Sequence, residues 1–444
     1  MSSVDSPVVI IGAGMAGLTC AVYLKQAGID ALLLESADGV GGRVRTDVVD
    51  GFRLDRGFQI LLTAYPEARR LLNYAALDLR CFRSGALIRD QSPNASSPWM
   101  TLLNPFQEPF SVFKTLASPV GTLADKIRIF ELMRRTQALS VNELFRQTPT
   151  TTLALLHELG FSERMIERFF RPFFGGVFLE DDLTTSSNFF EFCFRMFFSG
   201  DAAVPAQGIG AIPDQLASRL SPNQIRLNTR VTRIDGNSVV LDTGETISGR
   251  AVVLAVDAAQ AATLTGETGT GHPAGVARSF NHTTCTYFVA PHSPDSTSIP
   301  IKKLLMLNPH RASAVHNIAI MSDVAPGYAP GSQTEQGSAL ISVSTQGLET
   351  VNESVLTERI RVELADWFGP DALNWRHLKT YHLPHALPSY NPALNDGGNG
   401  FEPILHQPLK LSESLYQCGD QTAYPSLNAA MQTGREVAEL LIHG

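Results

Sequence analysis
Long apolar runs, basic clusters and paired cysteines are all missing from this 444-residue chain. No stretch reaches the roughly 18 unbroken apolar residues of a membrane-spanning helix, so no span is expected. A formal charge of −8 without a basic run excludes the electrostatic footprint of a nucleic-acid-binding protein. The five cysteines, Cys20, Cys81, Cys193, Cys285 and Cys418, are scattered and form no C-x-x-C pair. That argues against a disulfide framework and structural zinc; no metal site is expected, and a reducing compartment is. The opening "MSSVDSP" lacks the basic stretch, apolar core and cleavage site of a secretory signal. A cytoplasmic location is the expectation. Nor does any Ser/His/Asp or Cys/His arrangement point to a nucleophilic mechanism.

What is there begins with 44% apolar and 18% charged residues, a globular balance in a chain long enough for two or three domains. Residues 8–11, "VVII", are continuously apolar, as in a strand buried on both faces. Gly12, Gly14 and Gly17 follow as G-x-G-x-x-G. The first glycine permits a tight turn, and the second lets backbone approach a pyrophosphate. The third lets the next helix, opening at Met15 and Ala16, pack close to the strand with its N-terminal amides toward phosphate. "IDALLLE" supplies a second strand ending in Glu35, beside Ser36. A carboxylate there would accept hydrogen bonds from ribose hydroxyls. A looser match, "GTGHPA" at 269–274, has no preceding strand, and Pro273 spoils a helix start.

Two further segments narrow the dinucleotide. "GGRVRT" (41–46) and "GFRLDRGFQIL" (51–61) follow the first motif, and "LYQCGDQTAYPSLNAAMQTGREVAELL" (415–441) nearly ends the chain. Together they resemble the flavin-containing amine oxidoreductase superfamily: monoamine and polyamine oxidases, protoporphyrinogen oxidase and phytoene desaturases. The resemblance implies that FAD is held non-covalently. It implies that Gly41, Gly42 and Arg43 touch the pyrophosphate and that Gly57 and Phe58 lie along the cofactor. Asp420, after Gly419, would bond the ribityl chain, with the backbone at Leu427 and Asn428 meeting the isoalloxazine. Between these, "IRLNTRVTRIDGNSVVLDTGETISGRAVVLAVD" (225–257) alternates as strands around two turns. There Val231 would offer its backbone to the adenine.

The expected fold is therefore α/β. A Rossmann-like FAD-binding domain is assembled from 1–90, 205–265 and 405–444. An α+β substrate domain, 91–204 and 266–404, carries a mixed sheet and a helical subdomain. Residues 123–136 have helical apolar spacing, and 283–290 and 338–345 read as strands. Eleven of the 24 phenylalanines fall between Phe169 and Phe198. They form a core between helices, the wall of an apolar tunnel, or, with Arg164, Arg168, Arg171 and Arg195 nearby, a peripheral membrane patch. Residues 96–120 offer a candidate lid.

A flavin carries the hard chemical step itself. The expected activity is hydride transfer from a substrate C–H bond to flavin N5, on a hydrophobic isoprenoid-like or cyclic small molecule, which leans toward the desaturase-like branch. The alternatives are an amine or amino-acid oxidase releasing peroxide, and a flavin-binding scaffold without turnover. Many amine-oxidising relatives set a lysine near N5, for which Lys302 and Lys303 are candidates, and cage the flavin between two aromatics. Tyr424 lies near the G-D segment but has no evident partner. His382, His385 and Tyr390, in "YHLPHALPSYNP", are candidate cavity residues.

Overall fold
The computed structural model describes residues 6–90, 97–104, 115, 117–266, 280–295, 298–331, 337–347, 352–392 and 408–444. The 269–274 glycine pattern and about half of the 96–120 candidate lid, including 105–114, lie outside the described residues. Strands Val8–Ile11, Ala31–Leu34 and Ala251–Leu254 run parallel in one five-stranded sheet. Ile225–Arg226 and Leu415–Gln417 close its two edges, also in parallel. Strands from three distant stretches of chain thus share one sheet. Val8, Val9, Ile10 and Ile11 are all buried, which is why the strand reads as a continuous apolar run.

Helix Met15–Gln26 leaves the first strand and lies against the C-terminal helix Leu427–His443. Their crossing is close because of Gly434: a Cβ there would stand 2.3 Å from the Ala16 carbonyl oxygen. A three-stranded antiparallel sheet, Val231–Asp235, Ser238–Leu241 and Thr246–Ser248, packs on one face of the parallel sheet, with Val239 and Leu241 in a cluster with Val9, Ile11, Val252 and Leu254.

The second layer is a seven-stranded mixed sheet with Phe280–Ala290 between Arg376–Pro388 and Ala339–Thr345. Alternation along Phe280–Ala290 feeds two cores. Phe288 and Ala290 meet helix Glu353–Phe368 through Leu356, Ile360 and Leu364. Cys285, Tyr287 and Val289 face the other way, toward the hairpin Thr46–Val49/Phe52–Asp55. Among the described strands, one pair in this sheet is parallel, Leu305–Leu307 with Gly85–Arg89. Gly85–Arg89, which falls within the 1–90 segment, is therefore a strand of this sheet and not of the parallel one.

Helices Leu123–Ala138, Thr152–Glu158, Arg171–Phe178 and Ser187–Ser199 make the third layer. A π-helical turn, Ile166–Phe170, precedes Arg171–Phe178 and carries Phe169 to within 5.4 Å of the Phe173 ring centre. No helix among the described residues is long and apolar enough to cross a membrane.

Candidate flavin site and adjoining cavity
The three N-terminal glycines do three different jobs. Gly12 has φ +102°, and a Cβ there would stand 2.6 Å from the Ala255 carbonyl oxygen. At Gly17 a Cβ would stand 2.1 Å from the Gly12 carbonyl oxygen. Both positions are closed by the protein itself. A Cβ on Gly14 would meet nothing within 4 Å, and no side chain caps the helix that starts at Met15. An open concavity at an uncapped helix N-terminus is suited to an anionic pyrophosphate. The residues present fit a dinucleotide.

Glu35 ends the second strand with its carboxylate accepting the Ala13 and Ala37 amide hydrogens, each at 2.8 Å. Ser36 Oγ stands 3.5 Å from the same carboxylate. The chain bearing Val231 runs alongside: Thr229 donates its N–H to the Glu35 carbonyl at 2.8 Å, and Asn228 to that of Ala37 at 2.9 Å. Val231 itself pairs with Leu241 and is half-buried against the apolar cluster that includes Leu34 and Ile11. Gly41 donates to the Ala13 carbonyl at 2.8 Å and, with φ +106°, has no room for a Cβ beside the Val44 carbonyl. Gly42 lies against Gly14 Cα. The "GGR" stretch thus runs directly over the glycine turn.

Arg43 and Asp420, expected to serve different parts of the cofactor, stand against each other. Arg43 Nη2 is 2.5 Å from Asp420 Oδ1, and Nη1 donates to the Ala386 carbonyl at 3.1 Å. The aspartate is 6% exposed and the arginine 45%, so the cation keeps one side open to the site. Asp420 opens a short helical turn after Gly419, whose N–H is held by Thr433 Oγ1 at 2.9 Å. Gln421 Nε2 ties the same turn to the Val256 carbonyl at 2.7 Å. Thr433 and Gln421 carry no motif signal, because each acts only through a turn that folding brings to it. Leu427 begins the C-terminal helix, capped by Ser426 Oγ on the Ala429 N–H. The Asn428 amide is spent inside the protein, accepting from Glu67 N–H and donating to the Tyr424 hydroxyl. That leaves Asn428 its backbone for any cofactor contact.

Tyr424 does not stand over an open site. It is fully buried, stacked on Phe145 at 4.4 Å between ring centres. Cys418 is buried too, and burial pushes its thiol up to about 12, so it stays protonated near neutral pH. Among the described residues no three metal-ligating side chains gather at one point.

The other candidates spread out. Lys302 lies in an exposed turn with Nζ on Ser293 Oγ at 3.0 Å, and Lys303 follows at φ +64°. His382 and His385 are exposed on the edge strand, the first 3.4 Å from Thr284 Oγ1, the second stacked on Phe280. Tyr390 packs against Phe189, and burial raises its hydroxyl to about 12. None of these five lines the phenylalanine-walled cavity described below. The strand of His382 and His385 nonetheless reaches the Gly57 and Arg43 segments, since Leu383 sits where a Gly57 Cβ would go and the Ala386 carbonyl accepts from Arg43.

From Gly57 the chain enters Phe58 and Ile60, which open on a cavity of about 240 Å³. Phe82, Phe169, Phe173 and Phe197 form much of its wall, with Arg83, Asn104, Lys126 and Asp201 the main polar side chains. The phenylalanine cluster divides between two of the three roles the sequence left open, core and cavity wall. Phe170, Phe178 and Phe190 are buried core, while Phe169, Phe173, Phe197 and Phe198 are partly exposed and face the cavity. Below the site sits a carboxylate that no motif announced. Asp55 is buried, and its oxygens accept from Thr46 Oγ1 at 2.6 Å, Ile209 N–H at 2.9 Å and the Tyr328 hydroxyl at 2.7 Å. Burial raises its pKa to about 6, against the pull of these three donors.

Comparison with known proteins decides the family. The profile described as "Flavin containing amine oxidoreductase" matches residues 15–442. The chain belongs to that family. A 15-cis-phytoene desaturase of Narcissus pseudonarcissus is 39% identical over 74 residues, 16% of this chain and 13% of that protein. Polyamine oxidase 3 of Oryza sativa is 45% identical over 49 residues, 11% of this chain and 10% of that protein. The chain thus spans about a tenth of the length of the curated relatives it matches. The solved structure of cyclohexylamine oxidase from Brevibacterium oxydans superposes with TM-score 0.68 over 99% of both chains at 15% identity, which establishes a shared fold. Family membership makes a flavin the expected cofactor of the glycine turn described above.

Proposed function
We propose that this protein holds FAD non-covalently and dehydrogenates an apolar small molecule in the phenylalanine-walled cavity. When bound, the flavin supplies a two-electron acceptor. The chain's own part is to bind, orient and exclude water. The Gly14 turn and the first helix's amides would hold the pyrophosphate, with Glu35 toward the adenosine ribose and Arg43 balancing phosphate charge. Asp420, fixed by Gly419 and Gln421, would face the ribityl hydroxyls. The buried thiol of Cys418 supports non-covalent attachment.

The observation that carries the substrate class is the cavity wall. Phe58, Phe82, Phe169, Phe173 and Phe197 give a ligand apolar surface on several sides. Apolar burial of that kind contributes roughly 25 cal/mol per Å², whereas an ammonium would be stripped of water with Asp201 the one carboxylate in the wall, beside the cations of Arg83 and Lys126. A second reading, amine oxidation, draws on the polyamine oxidase relative and the cyclohexylamine oxidase fold.

Anaerobic mixing of the yellow holoprotein with isoprenoid and amine panels separates the two. Bleaching of the flavin by an apolar isoprenoid or cyclic hydrocarbon, and by no amine, supports the first. Bleaching by an amine, followed by steady peroxide release once air is admitted, overturns it. No bleaching by either panel favours a flavin-binding role without turnover.

A further inference from the structure
Helix Leu123–Ala138 presents an apolar stripe to solvent beside the cavity. Leu123, Ile127 and Phe130 follow at spacings of four and three residues, and are 62%, 54% and 47% exposed. A helix of a globular protein normally turns such a stripe inward. Here the inward stripe is a separate one, through Leu132 and Met133. Phe130 also lines the cavity, as do its helix neighbours Lys126 and Ile129. A side chain both lining a cavity and nearly half exposed stands at its rim.

Positive charge surrounds the same helix end. Arg128 packs on Gly160, and Arg168 donates to the Pro119 carbonyl at 2.8 Å. Arg164 is exposed and lies near enough to Lys126 to help burial depress that ammonium. The nearby acids are engaged elsewhere. Asp125 accepts from Thr122 and Ser162, Glu163 meets His157 at 2.8 Å, and Glu167 meets Arg171 at 2.9 Å. Glu131 is the remaining acid of the helix, on its exposed side.

We infer that this face docks on an anionic lipid bilayer, with Leu123 and Ile127 entering the interface and Arg128, Arg164 and Arg168 meeting lipid head groups. Charge complementarity selects a bilayer, whose head groups and acyl boundary match an apolar stripe rimmed by cations. Docking in this pose sets Phe130 and the cavity rim against the lipid, so that an apolar substrate passes from bilayer to cavity without crossing water. That last step rests on the apolar-substrate reading; the docking does not.

Flotation of the holoprotein with phosphatidylcholine vesicles, with and without phosphatidylglycerol, tests it. Co-flotation with the anionic vesicles, reversed by high salt, is expected. The double variant Leu123→Asp/Ile127→Asp should bind those vesicles at least about tenfold more weakly while keeping its flavin spectrum. Leu123→Ser/Ile127→Ser should show the same loss without added negative charge. Failure of the wild type to float, or flotation of both variants as strong as that of the wild type, overturns the inference. Turnover of a detergent-solubilised substrate, measured alongside, keeps the outcomes apart: lost turnover with intact flotation breaks the substrate reading alone.

Discussion
The glycine turn, which we call the grip, and the phenylalanine chamber are built from opposite materials. In the grip the contacts are backbone on backbone: a glycine Cα, a carbonyl, a helix end. In the chamber they are side chain on side chain, with Phe174 touching Phe170, Phe178 and Phe190 ring to ring. Backbone has no rotamers, so a misplaced atom in the grip has nowhere to go. Aromatic side chains can shift by a few tenths of an ångström, so the chamber tolerates exchange and tunes itself through shape. Specificity for a cofactor common to a whole family can reside in the first, and specificity for one substrate in the second.

Adding one carbon to the grip is the harshest way to break that comparison. Gly17→Ala puts a Cβ 2.1 Å from the Gly12 carbonyl oxygen. Its cost should exceed the roughly 1–3 kcal/mol of ordinary overpacking, because the obstructing atom is backbone. The expected outcome is little soluble yellow protein. Recovery of normally yellow protein with an unchanged melting temperature would show that the turn can relax.

Within the chamber the expected split is between core and wall. Phe190 is fully buried against Phe170, Phe174 and Phe194, and Phe190→Ala should cost about 3–5 kcal/mol in denaturant unfolding. Phe173 is only partly buried and faces the cavity. Phe173→Ala should cost clearly less stability and instead raise KM for an apolar substrate. Equal destabilisation with unchanged KM would make the cavity wall mere core.

Asp55 joins the two materials, since its carboxylate holds a hairpin after the grip, a glycine-rich turn at Ile209 and Tyr328 beneath the mixed sheet. Its folded pKa, about 6, lies above the ordinary 3.8, so the fold favours the neutral acid. That contribution is full below about pH 4 and is lost as pH rises toward 6, about 3 kcal/mol in all. The difference in urea midpoint between wild type and Asp55→Asn across pH 4–7 should trace this step. A flat difference curve would mean that the carboxylate titrates normally.

How much of this was legible from sequence follows the same division. The glycine turn, Glu35 and the parallel strands were readable because each is a local steric pattern, complete within about thirty residues. The seven-stranded mixed sheet was foreseen through its apolar strands 283–290 and 338–345. Membership of Gly85–Arg89 was not, because five ordinary residues carry no sign of which sheet edge they will meet. The Arg43–Asp420 pair spans 377 positions and Asp55–Tyr328 spans 273, so neither leaves a spacing to read. Lys302 and Lys303 fell in a plausible interval, but interval is not place: their turn projects to solvent. Phenylalanine density told that something large was apolar there. Which rings were core and which were wall depended on a π-helical turn and a neighbouring sheet.

The finest test of the comparison uses two glycines three residues apart. Gly14 has φ −73°, ordinary for alanine, and open space where a Cβ would project. As a helix N-cap, alanine is slightly worse than glycine, so Gly14→Ala should change stability by only about 0.5 kcal/mol. If that open space is where the pyrophosphate approaches, the added methyl should weaken flavin binding about tenfold, read by fluorescence of released flavin on dilution. Gly17→Ala damages the protein whether or not a cofactor is present; Gly14→Ala should damage only the cofactor's hold. Unaltered flavin affinity in Gly14→Ala would move the phosphates off this turn, however well its neighbours are packed.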